Sequence, residues 1–570
     1  MEIEKVELIG FRNFSRSTIN FNANTLILGA NDVGKTNLIF ALRLLLDRSL
    51  SERDIEPQTT DFYIDSNGQQ VSDFEINLFF KNVCEDSARS ILRGHVSEYD
   101  TTVFSFRAKL SGDYQILTGS SMDDLQEANS RFYLKAISLK YVQSRRDLKR
   151  FIESEKKHLL KIAKEERPEQ EVKNDDTHTS LISKSLTTIN SQIKNLNYVR
   201  QSTSLVNEEL KSLSHLNSGY RVTLDTGAIQ VQQFIDNLQL GAEKNGAPLL
   251  LGGDGRDNQI LLALWKAKSE REYDPQHHVT FYCVEEPEAH LHPHQQRRLA
   301  SYLNESLCGQ VLITTHSPQV VEQFKPSSII RLYIDKDTSV AASEGCSQCI
   351  NDAWDDLGYR MSILPAEAFF SSCVLLVEGP SEKLLYQEMS KEIDKCLDYF
   401  NVSIISVDGV QFKVYTQILS AMGIPYVVRT DNDVSKVPHK DERTLAGFNR
   451  CIEIANMTIP IPPIARVGLD ETPESIASSD VWKDYSKLLN PRGLFVARVD
   501  LETDLYDELA LEMEEFSGSN DKLKAINYLK SSKAINMRQF ISRYRSSLAK
   551  IENGELAKPL LQAIERAKGL

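Results

Sequence analysis

The chain has 570 residues, 41% of them hydrophobic and 26% charged, with a net charge of −14 at pH 7. That length is too great for a single core, so two or three domains are expected. The negative balance excludes indiscriminate coating of nucleic acid, and no apolar stretch approaches the length of a membrane span. The acidic start "MEIEKVELIGF" lacks the apolar run of a secretion signal. The eight cysteines offer one CxxC, Cys346 and Cys349, with no second pair to complete a zinc set. A reduced, cytoplasmic protein without membrane association is the expectation.

In chain order, "EKVELIGF" and "TLILGA" predict strands, and "DFEINLFF" alternates from Phe74 onward. After Tyr141 the texture turns polar and helical. Between Lys135 and Lys164 ten Lys/Arg face three Asp/Glu, a basic run that is either a solvated helix face or a nucleic-acid contact. "LISKSLTTINSQIKNLNYV" spaces Ile182, Leu186, Ile189, Ile193 and Leu196 by four and three in alternation, which is an amphipathic helix stripe. With "LVNEELKSLSHL" behind it, residues 148–225 are expected to form a helical insertion packing on itself or on a second copy. Strands return at "VTFYCVEE", "VLITT" and "SIIRLYI".

Three motifs in this frame carry nucleotide chemistry. "GANDVGKT", Gly29 to Thr36, follows an apolar strand and opens a helical pattern, as a phosphate-binding loop requires. Gly29, Asn31 and Gly34 shape the loop, Lys35 would reach the β- and γ-phosphates, and Thr36, followed by Asn37, would ligate Mg²⁺. "VTFYCVEEPE" ends a strand at Glu285, placed to hold Mg²⁺ through water, and Glu286, placed to polarise the attacking water. Glu285 stands where most such ATPases have Asp. His316, at the end of "VLITTH", is placed to sense a γ-phosphate. These spacings resemble ABC-type ATPases of the structural-maintenance and recombination-repair group, whose signature loop completes the nucleotide site of a second subunit. Gly252, Gly253, Asp254 and Gly255 lie where that loop belongs, without its usual serine.

A second acidic set lies downstream. "CVLLVEGPSEK" ends an apolar strand at Glu378, with Glu382 one helical turn on. "GIPYVVRTDNDV" ends another at Asp431 and Asp433, whose alternation points both carboxylates to one side. Four acids at neighbouring strand ends repel unless cations sit among them, and hard oxygen ligands suit Mg²⁺ or Mn²⁺. The pattern resembles the Toprim domain of topoisomerases, primases and certain nucleases. Neither a topoisomerase tyrosine domain nor a primase zinc module is evident.

A P-loop ATPase ahead of Toprim resembles the OLD (overcoming lysogenization defect) family of nucleases, and most of all the nuclease subunit of Gabija anti-phage systems. The segments that carry this are "FRNF", "GANDVGKTN", "GDGR", "EEPE", "THSP", "LLVEGPSEK", "TDNDV", "LAGFNRC" and "DLETDLY". The resemblance implies an α/β protein: an ATPase N-terminal lobe (1–147), the helical insertion for dimerisation (148–225), an ATPase C-terminal lobe (226–355) and a Toprim nuclease domain (356–570). It further implies Glu502 and Asp504 as additional metal ligands, and Lys533 as the catalytic lysine with Lys530 as its neighbouring competitor. It implies double-stranded DNA as substrate, a homo-oligomer, a UvrD-like helicase partner, and restraint of cleavage by nucleotide. The competing reading is an ATP-gated DNA clamp or repair ATPase that does not cut.

Overall fold

The computed structural model describes residues 1–142, 148–213, 278–346 and 366–569, apart from short stretches at 129, 290, 307–308, 408–411, 438, 457–460, 462–466, 469–471, 473–474 and 476–479, together with isolated positions between 219 and 263. The glycine run at 252–255 and Cys349 therefore lie outside the described residues.

The chain enters through β1 (Glu2–Phe11) and β2 (Phe14–Asn20), then β3 (Asn24–Leu28) and the helix Lys35–Leu46. It continues through β4 (Asp73–Lys81), β5 (Thr102–Lys109), β6 (Tyr114–Gly119), β7 (Gln126–Glu127) and β8 (Ile137–Val142). Strands β2-β1-β4-β5-β6-β7 form an antiparallel sheet. Its alternating apolar positions, among them Val6, Leu8, Ile76 and Phe104, turn inward onto the buried face of the Lys35–Leu46 helix.

Residues 144–273 make a separate compact unit, with helices Leu148–Glu165, Glu169–Asn195 and Ser204–Leu213 and a small hairpin of β9 (Ala242–Lys244) and β10 (Ala247–Leu249). This unit is wider than the expected 148–225, because the next strand, β11 (Val279–Glu285), pairs in parallel with β8 itself. Everything between those two neighbours is one excursion. Along its apolar stripe Leu186 is buried, while Ile182 and Ile189 are exposed.

After β11 come β12 (Val311–Thr314), β13 (Ile329–Asp335) and β14 (Thr338–Ala341), giving a second sheet of order β14-β13-β3-β12-β11-β8. All neighbours in it are parallel except β14. The strands read as nearly unbroken apolar runs because both faces are covered.

The last part begins with β15 (Cys373–Val377), the helix Pro380–Glu392, β16 (Val402–Ser406), the helix Phe412–Ala421 and β17 (Tyr426–Thr430). A small antiparallel sheet of β18 (Val434–Lys436), β19 (Glu442–Leu445) and β20 (Val467–Gly468) follows, and then β21 (Leu494–Val496). The main sheet runs β16-β15-β17-β21, all parallel. From β15 the chain moves to one side and from β17 to the other, so a topological switch point lies between them, where ligands of open α/β sheets bind. Helices Leu501–Glu508, Lys533–Tyr544 and Lys558–Ala567 close the core through Leu505, Met537, Phe540 and Leu560. Among the described residues no helix is long and apolar enough to cross a membrane.

Candidate active site

Adjacency in the first sheet brings the nucleotide motifs together. Strands β3, β12 and β11 are consecutive neighbours, so the loop Gly29–Gly34, His316 and the Glu285–Glu286 pair emerge from the same edge. Gly34 precedes the helix Lys35–Leu46 in left-handed conformation, and Asn31 is exposed on the loop. Lys35 Nζ donates to the carbonyls of Gly29 (2.9 Å) and Ala30 (2.7 Å). Burial pulls its pKa down against the raising pull of Glu286, Glu285 and Asp32. Thr36 Oγ1 donates to Glu285 Oε1 at 2.5 Å, joining the two groups expected at Mg²⁺. Glu286 sits at φ 45°, and its Oε1 lies 3.4 Å from His316 Nε2. Burial and then Lys35 lower the pKa of His316, which keeps the imidazole neutral and able to accept a proton.

Four further residues take part here that the sequence did not single out for a role. Tyr141 donates to Glu285 Oε2 at 2.5 Å. Glu288, the last acid of "EEPE", accepts from Thr315 Oγ1 (2.6 Å) and His316 N–H (2.8 Å), fixing the loop that carries the histidine. Arg12 and Asn13 of "FRNF" both bond Asn37 and line a cleft of about 560 Å³ with Phe62 and Tyr63.

The second site forms at the carboxyl ends of β15 and β17. Glu378 follows β15, and its Oε2 accepts from Asp431 N–H (3.0 Å) and Thr430 Oγ1 (3.1 Å). Arg450 spans the strand ends, donating to Asp433 Oδ2 (2.7 Å), Thr430 Oγ1 (2.7 Å) and Asp431 O (3.1 Å), with Glu378 3.8 Å away. Glu382 is buried in the first turn of the Pro380–Glu392 helix. Burial raises the Asp431 carboxyl well above the ordinary range, and Glu382 and Glu378 push it the same way. Burial raises Glu382 and Glu502 as well, each further pushed by neighbouring acids. Burial alone would lower Lys533, but Glu502, Asp431, Glu382 and Asp500 together raise it. The lysine expected to be catalytic therefore faces this cluster. Lys530 instead pairs with Asp500.

Two positions differ from expectation. Asp504 is drawn away from the cluster: it forms a buried ion pair with Arg429 at 2.9 Å and accepts the Arg498 N–H at 3.2 Å. Two residues apart on the Leu501–Glu508 helix, Glu502 and Asp504 point to different faces, both of them buried, and Asp504 takes the one that meets Arg429. The acid accompanying Glu502 is Asp500, which caps that helix by accepting from Thr503 N–H (2.9 Å). Its Asp-x-Glu spacing was visible in the sequence. Burial would raise Asp500, but Lys530 and Thr503 hold it below the ordinary carboxylate value.

A divalent cation fits this donor set. Among the described residues no three His, Cys, Asp or Glu side chains already stand together as a finished metal-binding group. Yet mutually repelling carboxylates remain, and the buried Glu502 Oε2 has no hydrogen-bond partner among the described residues. Glu378, Glu382, Asp431, Asp433, Asp500 and Glu502 are the oxygens that would hold hard cations.

Comparison with known proteins follows the same division. The AAA ATPase domain family matches residues 1–321, and the overcoming lysogenization defect protein-like Toprim domain matches residues 369–433. The chain is 24% identical over 571 residues to Endonuclease GajA of Bacillus cereus strain VD045, covering 95% of each chain. It is 24% identical over 549 residues to Old nuclease of Escherichia phage P2, covering 86% of this chain and 87% of that one. A solved SMC head bound to the C-winged helix domain of ScpA covers 60% of this chain and 97% of its own at 20% identity, with a TM-score of 0.37. The chain belongs to the AAA ATPase domain family, and it joins to that ATPase an OLD-like Toprim domain whose acidic strand ends form the second site.

Proposed function

We propose that this chain is a divalent-metal-dependent DNA endonuclease, restrained by bound nucleotide and acting in anti-phage defence. The observation that carries the reading is the cluster of buried acids at the Toprim switch point, whose charges reach Lys533 and raise its pKa. A clamp that only grips DNA gains nothing from carboxylates that repel phosphate, whereas phosphodiester cleavage needs them. Similarity to proteins named GajA endonuclease and Old nuclease supports the same reading.

Mg²⁺ or Mn²⁺ would supply Lewis-acid activation of water and neutralise the leaving 3′-oxygen. The protein's own groups do the rest. Lys533 stabilises charge growing on the phosphoryl oxygens. Glu378, held by Asp431 N–H and Thr430, either takes the proton of the attacking water or joins the oxygens that would hold the cation. Arg450 keeps Asp433 and the Thr430–Asp431 strand end in register with it. Lys35, Thr36, Asn37, Glu285, Glu286 and His316 bind ATP with Mg²⁺ and report its state.

Double-stranded DNA is the substrate in this reading, and the cytoplasm its setting. The exposed Ile182 and Ile189 support homo-oligomerisation through the helical insertion at 148–225. A UvrD-like helicase subunit is the partner that the Gabija resemblance supplies. The test is nicking of supercoiled plasmid with Mg²⁺ or Mn²⁺, with and without ATP, for the wild type, Glu378→Ala and Lys35→Ala. Cutting that Glu378→Ala abolishes, and that ATP restrains only while Lys35 is present, is expected. Protein that binds ATP and DNA but cuts under neither metal refutes the endonuclease and leaves the clamp.

A further inference from the structure

The two sites open at strand ends of different sheets, and one buried side chain bonds the entrances of both Toprim strands to the ATPase sheet. Arg331 lies on β13, directly opposite Leu28 in parallel register, one residue before the phosphate-binding loop begins. The guanidinium is buried and makes no ion pair with an acid among the described residues. It donates to four main-chain carbonyls instead: Phe369 (3.2 Å), Ser371 (3.3 Å), Met422 (3.2 Å) and Gly423 (3.1 Å).

Those carbonyls belong to two short segments with different destinations. Phe369 and Ser371 close the turn that feeds β15, whose far end is Glu378. Met422 and Gly423 close the helix Phe412–Ala421 and feed β17, whose far end is Asp431. Carbonyls at helix ends are left without partners inside the helix and carry partial negative charge, so a cation is their natural complement. A single buried fork thus holds the starts of both strands that deliver the Toprim acids.

The surrounding contacts are tight on both faces of β13. A Cβ on Gly29 would lie 2.6 Å from the Leu332 carbonyl, so the first loop glycine presses on the residue after Arg331. A Cβ on Gly423, which has φ +60°, would meet the Tyr333 ring at 3.1 Å. Ser343, just past β14, donates to Ala421 O at 2.6 Å. The turn that follows His316, helix Pro318–Val321, packs on Ala366–Phe370, the same segment that Arg331 clasps. Two elements beside the nucleotide motifs, β13 next to the P-loop strand and the turn after His316, therefore reach the entrance to β15.

We infer that Arg331 is a positioning residue that couples nucleotide state to the Toprim acids, by clamping the entrances of β15 and β17 to the strand beside the P-loop. Burial pulls its pKa down to about 10, which still leaves a full positive charge at neutral pH. A lysine could not reproduce the fork, since one ammonium cannot reach carbonyls spread over a planar guanidinium. The inference deepens the proposed nucleotide-restrained endonuclease and rests on that reading only for its consequence in cleavage.

The test compares the full-length wild type with Arg331→Met and Arg331→Lys by amide hydrogen exchange, with and without a non-hydrolysable ATP analogue. Binding of the analogue is measured alongside. In the wild type, the analogue is expected to change exchange in residues 371–377 and 422–430. In both variants the analogue is expected to bind within about twofold of wild type while that change disappears, a loss at the scale of the roughly 5- to 150-fold couplings typical between sites. Arg331→Lys retains a cation and serves as the reading if Arg331→Met does not fold. A response unchanged in Arg331→Lys overturns the inference, and so does a wild type whose two segments ignore the analogue. Plasmid nicking is run in parallel. If the wild type never cuts, the endonuclease reading falls, while the exchange result still decides the coupling.

Discussion

Asp500 and Asp504 stand four residues apart on one helix, and the same substitution is expected to do opposite things at each. Asp504 pairs with Arg429 at 2.9 Å, with the two side chains 6% and 4% exposed. Burial alone would lower the Arg429 pKa, but Tyr386 and Asp504 opposite it hold it above its ordinary value. Asp504→Asn removes the only charge bonded to that guanidinium among the described residues and strands a cation in the core. Breaking a buried pair from one side costs about 3–5 kcal/mol. The asparagine oxygen can still accept from Arg498 N–H, which places the loss near about 3 kcal/mol on that scale. With a urea slope of about 1–3 kcal/mol per molar, the midpoint falls by about 1 M or more. Arg429→Met with Asp504→Leu, which removes both charges, should recover most of the loss.

Asp500→Asn should lower that midpoint by less than Asp504→Asn, because asparagine keeps the helix cap and only the half-buried pair with Lys530 is lost. It should instead weaken divalent-cation binding, since it removes a charge from the acid cluster. Urea denaturation followed by circular dichroism reads the first effect, and calorimetric titration with Mn²⁺ reads the second. Loss of cation binding by Asp504→Asn at an unchanged urea midpoint would refute this assignment. Asp504 would then be a ligand, as the family pattern implied.

Lys533→Ala should slow plasmid cleavage by about 10²–10³-fold, the usual cost of losing one preorganised electrostatic group, with DNA binding little affected in a gel-shift assay. An equal loss in Lys530→Ala alone would reverse the assignment of the two lysines. The raised carboxyls set a pH dependence in metal-free protein. A group with a folded pKa above its ordinary value adds stability that is complete below the ordinary value and lost as pH rises through the folded one. Asp431, Glu382 and Glu502 all have that sign. In EDTA the protein should therefore melt lower at about pH 7.5 than at about pH 5.5, and less so in Asp431→Asn, with Mg²⁺ restoring the loss at the higher pH. Melting curves with the same pH dependence in wild type and Asp431→Asn would contradict this.

Much of the arrangement was legible because it depends on local pattern. Strand–glycine–lysine–helix order and acids closing apolar runs are properties of short segments, and Lys35, Glu285, Glu378 and Asp431 all fall at the strand and helix ends their patterns foretold. The departures from the sequence pattern have a common physical origin. Choosing between Asp500 and Asp504 requires knowing which helix face is buried and that Arg429 waits there, and neither is encoded within a few residues of "DLETD". Tyr141 and Glu285 are far apart in sequence, and only the β8–β11 pairing brings them into contact. That same pairing set the width of the 144–273 unit, which helical periodicity could not bound. Arg331 reads as a polar interruption in "SIIRLYI", and its purpose depends on carbonyls from 369 to 423.

The place where Arg331 grips constrains what nucleotide could change. It holds β15 and β17 at their beginnings, whereas Glu378 and Asp431 leave from their ends, about 17 Å along strands of five residues. The two acids are also tied directly, through Asp431 N–H to Glu378. A pull arriving through β13 would therefore tend to move Glu378 and Asp431 together. Glu502, Asp500 and Lys533 come from C-terminal helices that Arg331 does not touch. Control by nucleotide would then act on the gap between the strand acids and the helix acids, the gap a bound cation has to bridge. Cation affinity, more than the acidity of any one carboxyl, is the quantity nucleotide should shift. Mn²⁺ titration with and without the ATP analogue would show it: equal affinities in both states would mean that the strand acids do not move relative to the helices, whatever happens to cleavage.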